Sequence, residues 1–204
     1  MAQPSNSDTS IATGPRAVTS REATPLEVTV PFQYAELSPV SPARIKGLRR
    51  NLVDAMRDAR TAQPSRTQEK PPPAEPTGFI ARVLQTGCAL CRGHCCKGGG
   101  THAYIDDRTM TRVRRDNPEA DAWAILRLYT ASVPRFAHAG SCIFHGEAGC
   151  SLPRALRAEL CNSYYCDGLQ RFLEAENPAR PVRITASRGG LTGGVVDLSE
   201  GNPS

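Results

Sequence analysis

The sequence predicts an α+β protein. It would be a small, mainly helical cysteine-cluster domain with a short C-terminal β-hairpin, preceded by a largely disordered N-terminal region. Three observations lead to that reading. Apolar residues recur at three- and four-residue spacing in several segments. A β-like run with paired glycines, Val182 to Leu198, lies near the C-terminus. The first 25 residues are rich in Ser, Thr, Pro and Ala and have no period.

The elements follow in order. Leu26 to Tyr34 alternates apolar and polar side chains before Pro31, which limits it to a short edge strand. Pro42 to Arg60 reads as an amphipathic helix with Ile45, Leu48, Leu52, Val53 and Met56 on one face, and such a stripe is expected to pack. Residues 63–77 carry Pro71-Pro72-Pro73 among polar residues and read as a linker of polyproline character. The division expected is therefore 1–77, disordered or linker apart from the 42–60 helix, and 78–198, the cysteine-cluster domain.

Within the second region, apolar content resumes at Phe79 and leads into the first cysteines, bracketed by Gly87, Gly93 and Gly98 to Gly100 as tight-turn residues. Asp106 to Arg115 reads as a helix capped by Asp106 or Asp107 and broken at Asn117-Pro118. Glu119 to Ala131 reads as another, with Trp123, Leu126 and Leu128 for the core. Residues 134–149 read as loop. Ser151 suits an N-cap, with Pro153 in the first turn of a helix running toward Glu174, which Asp167-Gly168 could interrupt. Gly189-Gly190 and Gly193-Gly194 read as turns of the terminal hairpin.

Composition limits the function. Of 204 residues, 39% are hydrophobic and 5% aromatic, so the compact part is expected to be roughly 120 residues, a size that a metal site stabilises usefully. The net charge of +5 is spread: ten basic and eight acidic residues through Thr77, fifteen and twelve after it. The one basic run, Arg108, Arg112, Arg114 and Arg115, reads as a solvated helix face rather than a nucleic-acid surface. No apolar signal region opens the chain and no run of about 18 apolar residues occurs, so the expected compartment is the cytoplasm, with no membrane partner. Thiols there are mostly reduced, which favours metal binding over a disulfide framework.

All eight cysteines fall in two blocks: Cys88, Cys91, Cys95 and Cys96, then Cys142, Cys150, Cys161 and Cys166. Cys88 and Cys91 form a chelating hook. Adjacent cysteines in extended backbone face opposite sides, so Cys95 and Cys96 are expected to serve one site shared with Cys88 and Cys91 and a second site or the core. Cys150 is expected just before a helix N-terminus, where the dipole favours a thiolate. Cys161 and Cys166 stand about 140° apart on an ideal helix, so a local distortion or two different sites are needed.

Other motifs do not match. The spacers run two then three, the reverse of the radical-SAM order, and no His follows Cys91 directly as in a c-type haem motif. A lone redox dithiol does not explain six further cysteines. His94 and His145 are candidate ligands or donors to a sulfur, although four thiols already complete a site. His102 and His138 are weaker candidates. No phosphate loop and no Ser/His/Asp spacing is present.

The ordered set Cys88 to Cys96, Cys142-Ile-Phe144, Gly149-Cys150 and Arg157-Ala-Glu-Leu-Cys161-Asn-Ser-Tyr-Tyr-Cys166 resembles the YkgJ-like cysteine-cluster family of zinc- or iron-chelating domains, over about residues 78–175. The resemblance implies that all eight cysteines are metal ligands. Ala158 and Tyr165 stand where that family usually has proline. The function expected is coordination of an iron–sulfur cluster, a [4Fe–4S] centre among the options, or of zinc, with redox activity open. The alternative is a structural zinc module that binds a protein partner through the 42–60 helix and the N-terminal tail. The sequence identifies no catalytic residue.

Overall fold

A computed structural model describes residues 24–61, 76–175 and 181–200. The expected disorder before Pro25 and the linker around Pro71-Pro72-Pro73 fall almost wholly outside them. In chain order the elements begin with β1 (Leu26–Pro31), β2 (Leu37–Pro39), α1 (Pro42–Thr61) and α2 (Gly78–Cys91). A 3-10 turn follows (His94–Gly99), then α3 (Asp107–Asp116), α4 (Ala122–Ala131), β3 (Phe136–His138), β4 (His145–Gly146) and β5 (Gly149–Cys150). A second 3-10 turn (Arg154–Leu156) precedes α5 (Glu159–Ser163), α6 (Asp167–Leu173), β6 (Val182–Arg188) and β7 (Leu191–Leu198). The class is mixed α+β, and β6–β7 is the expected C-terminal hairpin.

The hairpin turns at Gly189 and Gly190, with φ of +55° and +83°, the pair of left-handed residues a tight hairpin needs. Gly193 and Gly194, expected as a turn, lie inside β7, where the Phe32 ring covers Gly193. β1 pairs in parallel with β6, from Leu26 opposite Val182 to Pro31 opposite Ser187, and the sheet order is β1-β6-β7. β1 is therefore an edge strand, as Pro31 requires. Its alternation turns Val28 and Val30 inward. Together with Val182, Ile184 and Ala186 of β6 they meet Val83 and Leu84 of α2 and Leu169 and Phe172 of α6. This sheet core is covered on one face by two helices.

A second core is helical. Leu48, Leu52, Ala55 and Met56 of α1 pack with Met110 and Val113 of α3 and with Ile125 and Tyr129 of α4. The stripe on α1 thus packs as expected, although Val53 is exposed and Ala55 takes its place. Asp106 caps α3 by accepting from the Thr109 amide at 2.9 Å, and Asp121 caps α4 by accepting from the Ala124 amide at 2.7 Å. The segment before Thr77 supplies β1 to one core and α1 to the other.

Two expectations about helices are corrected. Trp123 is 73% exposed, not buried. α4 starts at Ala122, and in that phase Ile125 and Tyr129 point inward one turn apart while Trp123 and Leu128 point out. The long helix expected from Leu152 to Glu174 is broken into a 3-10 turn, α5 and α6. Pro153, Arg157 and Ala158 are extended, with ψ of 142°, 151° and 151°. Ser151 caps nothing; its hydroxyl donates to the carbonyls of Ser132 and Phe144. Leu152 and Leu156 belong to the helical core, whereas Leu169 and Phe172 belong to the sheet core. The bends between them let the segment serve both cores.

Asp167-Gly168 does not interrupt a helix but begins α6. A Cβ at Gly168 would collide with the backbone oxygen of Thr29, so only glycine lets α6 lie this close to β1. Gly87 is likewise not a turn residue; it is buried in α2 against Leu169.

Candidate metal centre

The first cysteine block is built by the end of α2. Cys88 and Cys91 lie on its last turn, and Arg92 and Gly93 follow with left-handed φ of 50° and 70°. The two left-handed residues turn the chain back so that the amide of His94 donates to Cys91 Sγ at 3.4 Å. The Gly93 amide also bonds this sulfur, and both contacts favour the thiolate. The chain then enters the 3-10 turn that carries Cys95 and Cys96. Its backbone is not extended, so the two thiols do not point apart as expected; they are hydrogen-bonded to each other.

The second block is stitched onto the first by backbone. The Cys142 amide donates to the Cys96 carbonyl at 2.9 Å, and the Ile143 amide to the Gly100 carbonyl at 2.8 Å. A Cβ on Gly99 would stand 2.8 Å from Cys142 Cβ, so glycine is what admits Cys142 there. Cys150 lies on β5 opposite His145 of β4, not before a helix, so no helix dipole acts on it. Arg157 fixes its loop by donating to the carbonyls of Leu152 (2.7 Å) and Cys150 (3.2 Å). Cys161 lies on α5 and Cys166 is the N-cap of α6. The break at Tyr164, with ψ of 128°, separates the two.

The thiols of the two blocks influence one another, with Cys95 acting on Cys88, Cys91, Cys96 and Cys161. Cys88 is influenced by Cys91, Cys95 and Cys166, and Cys91 by Cys95 and Cys166. Cys96 is influenced by Cys95, Cys142 and Cys150, and Cys161 by Cys150 and Cys95. Burial, then the neighbouring thiols, pushes Cys88 up to about 11. Burial chiefly raises Cys142 and Cys161, each to about 11. The hydrogen bond from Cys96 holds Cys95 down to about 7 and drives Cys96 far up.

Six of the eight cysteines (Cys88, Cys95, Cys96, Cys142, Cys150 and Cys161) line one cavity of about 510 Å³. Tyr104, Tyr164, Phe144, Leu160, Arg157 and the candidate ligand His145 are among the other residues of its wall. Cys91 and Cys166 are not on this wall and pack against the sheet core. All eight cysteines are free thiols. Among the described residues, no three His, Cys, Asp or Glu side chains converge on a point where a single ion would sit. The donors fit a soft metal by type. Their spread around a cavity fits an occupant with several attachment points, because the sulfurs around one zinc stand only about 3.8 Å apart.

The histidines differ from one another. His145 is buried, pairs its Nδ1 with Ser141 Oγ at 2.8 Å and stacks on His138 at 4.4 Å. Burial holds its pKa down to about 4. His94 is half-buried, and its Nδ1 is buried without a hydrogen-bond partner. His102 Nδ1 accepts from the Tyr104 amide at 3.0 Å, and His138 Nδ1 pairs with the Ala35 carbonyl at 2.7 Å.

Two wall residues carried no signal in the sequence. Tyr104, at a left-handed φ of 57°, donates its hydroxyl to the Cys95 carbonyl at 3.1 Å. Tyr164 sits in the break between Cys161 and Cys166. No protein-family model, curated protein or solved structure matches the chain.

Proposed function

We propose that this chain is a metal-binding protein that holds an iron–sulfur cluster through its cysteine blocks, in the manner of the YkgJ-like cysteine-cluster family. The observation that carries this reading is the cavity lined by six thiols from both blocks, with the other two close behind Cys88 and Cys95. Thiolates that surround a space, rather than meet at a point, suit a cluster in which different sulfurs bind different irons. A bound cluster would supply one-electron redox capacity.

The chain's own residues hold and shield the thiols. The His94 amide steadies the Cys91 sulfur. Tyr104 anchors the turn of Cys95 and Cys96, and Arg157 anchors the loop of Cys150. Phe144 and Leu160 present apolar wall.

The second reading, a zinc module that binds a protein partner, draws support from exposed Trp123 and Leu128 on α4. It does not draw support from α1, whose apolar face is already taken up by α3 and α4. The test is a visible spectrum with metal and sulfide analysis on protein purified without air. The iron–sulfur reading predicts a coloured protein that bleaches on reduction and contains iron and acid-labile sulfide. A colourless protein carrying zinc selects the second reading, and a folded protein with neither metal overturns both.

A further inference from the structure

We infer that His145 is a positioning residue that clamps the turn after Cys91 onto the second cysteine block, and that it is not itself a metal ligand. The inference rests on the proposed metal binding and adds which side chain holds the two blocks in register.

The backbone of His145 belongs to the second block. Its amide donates to the Cys142 carbonyl at 2.9 Å, and it stands opposite Cys150 across β4 and β5. Its ring reaches into the first block. A Cβ on Gly93 would stand 2.5 Å from Nε2 and 2.7 Å from Cε1, so the ring fills the space that a side chain there would take. Gly93 lies midway between Cys91 and Cys95, and its amide bonds the Cys91 sulfur. Two backbone bonds already fasten the second block at Cys96 and Gly100. The His145 ring fastens it near Cys91.

Both ring nitrogens are taken. Nδ1 lies 2.8 Å from Ser141 Oγ, and the ring also bonds the Arg92 carbonyl. That second bond belongs to Nε2, the nitrogen packed against Gly93. A carbonyl only accepts, so Nε2 carries the proton and Nδ1 accepts from the Ser141 hydroxyl. Ser141 is itself fixed: its amide donates to the His138 carbonyl at 3.2 Å, and its carbonyl accepts from Arg44 of α1. His145 and Ser141 are both buried. A metal bound at either ring nitrogen would break one of these bonds and leave a buried polar group unpaired. His145 therefore borders the cavity without a free lone pair to offer it.

The test reads the ring directly. Full-length protein carrying nitrogen-15-labelled histidine is purified without air. Long-range proton–nitrogen spectra are recorded on it and again after addition of zinc, and His145→Gln identifies the His145 signals. The expected result is a neutral ring protonated at Nε2, with neither nitrogen at the shift of a metal-bound one in either sample. A ring protonated at Nδ1, or a metal-bound nitrogen, overturns the inference.

Chelator competition then compares zinc affinities, with far-UV circular dichroism as the check on folding. His145→Ala is expected to bind zinc about 10- to 100-fold more weakly, as when other groups that orient metal ligands are removed. His145→Gln, whose side-chain amide can still donate toward Arg92, should regain most of that loss. A folded His145→Ala with wild-type affinity overturns the positioning role, and so does a folded His145→Gln that binds no better than the alanine variant. If His145→Ala does not fold, Ser141→Ala replaces it. That variant removes only the donor at Nδ1, and about a 2- to 10-fold loss is expected; unchanged affinity overturns the role. A wild type that shows the expected ring but takes up neither iron nor zinc overturns the metal-binding reading and the positioning role with it, while the clamp between the blocks stands.

Discussion

Gly168 of α6 lies directly against the backbone carbonyl of Thr29 in β1, with no room for a Cβ between them. Because Cys166 caps α6, this contact also sets where that thiol stands relative to Cys88 and Cys91 on α2. Gly168→Ala must push α6 away from the sheet. A loss of about 1–3 kcal/mol is expected, as for other overpacked sites. Thermal melting measures it. An unchanged melting temperature would mean that the helix can shift freely, contrary to the packing described.

The N-terminal segment is part of the packing. Removing residues 1–77 takes away β1 and α1, and with them Val28, Val30, Leu48 and Leu52 from the two cores. The truncated chain is expected to lose cooperative unfolding and metal together. A truncated protein that melts cooperatively and keeps its metal would instead make this segment an accessory.

Ala158 offers a test in the opposite direction. Its φ of −58° is one that proline adopts, and the preceding Arg157 is extended, as a residue before proline must be. The family that the sequence resembles usually has proline here. Ala158→Pro should keep the fold and raise stability by about 0.4–1 kcal/mol, through a less flexible unfolded chain. Denaturant unfolding provides the comparison, and a clear loss of stability would count against the backbone drawn before Cys161.

Tyr129 is fully buried and donates its hydroxyl to the Leu156 carbonyl at 2.7 Å. That bond ties α4 to the turn just before Arg157. Tyr129→Phe leaves a buried carbonyl unpaired and should cost about 1–3 kcal/mol. Trp123→Ala, on the exposed side of the same helix, should change stability by less than about 0.5 kcal/mol. Equal effects of the two substitutions would contradict the assigned phase of α4.

Local signals in the sequence were legible where one element obeys one rule. The stripe on α1, the Asp106 cap, the break at Asn117-Pro118, the edge position of Pro31 and the Gly189-Gly190 turn all depend on neighbours in sequence. Trp123 was misplaced because residue size suggests burial, whereas the helix start at Asp121 sets the phase. Residues 152–174 carry a continuous apolar period, yet the two ends of the segment serve different cores, and no local pattern encodes that. The cysteines announced themselves by clustering. How they group did not, because it depends on the bend at Tyr164 and on the 3-10 turn that brings Cys95 and Cys96 side by side. Tyr104 and Arg157 act through backbone carbonyls, which leave no trace in a motif.

The most direct test of thiol-held metal is the metal content of the wild type and of Cys91→Ser, purified side by side without air. Cys91 is buried at the end of α2 and accepts backbone hydrogen bonds at its sulfur. Its loss should lower bound metal and the melting temperature together, since binding and folding are linked. Equal metal content and equal melting temperature in the two proteins would contradict a role for these thiols in holding metal.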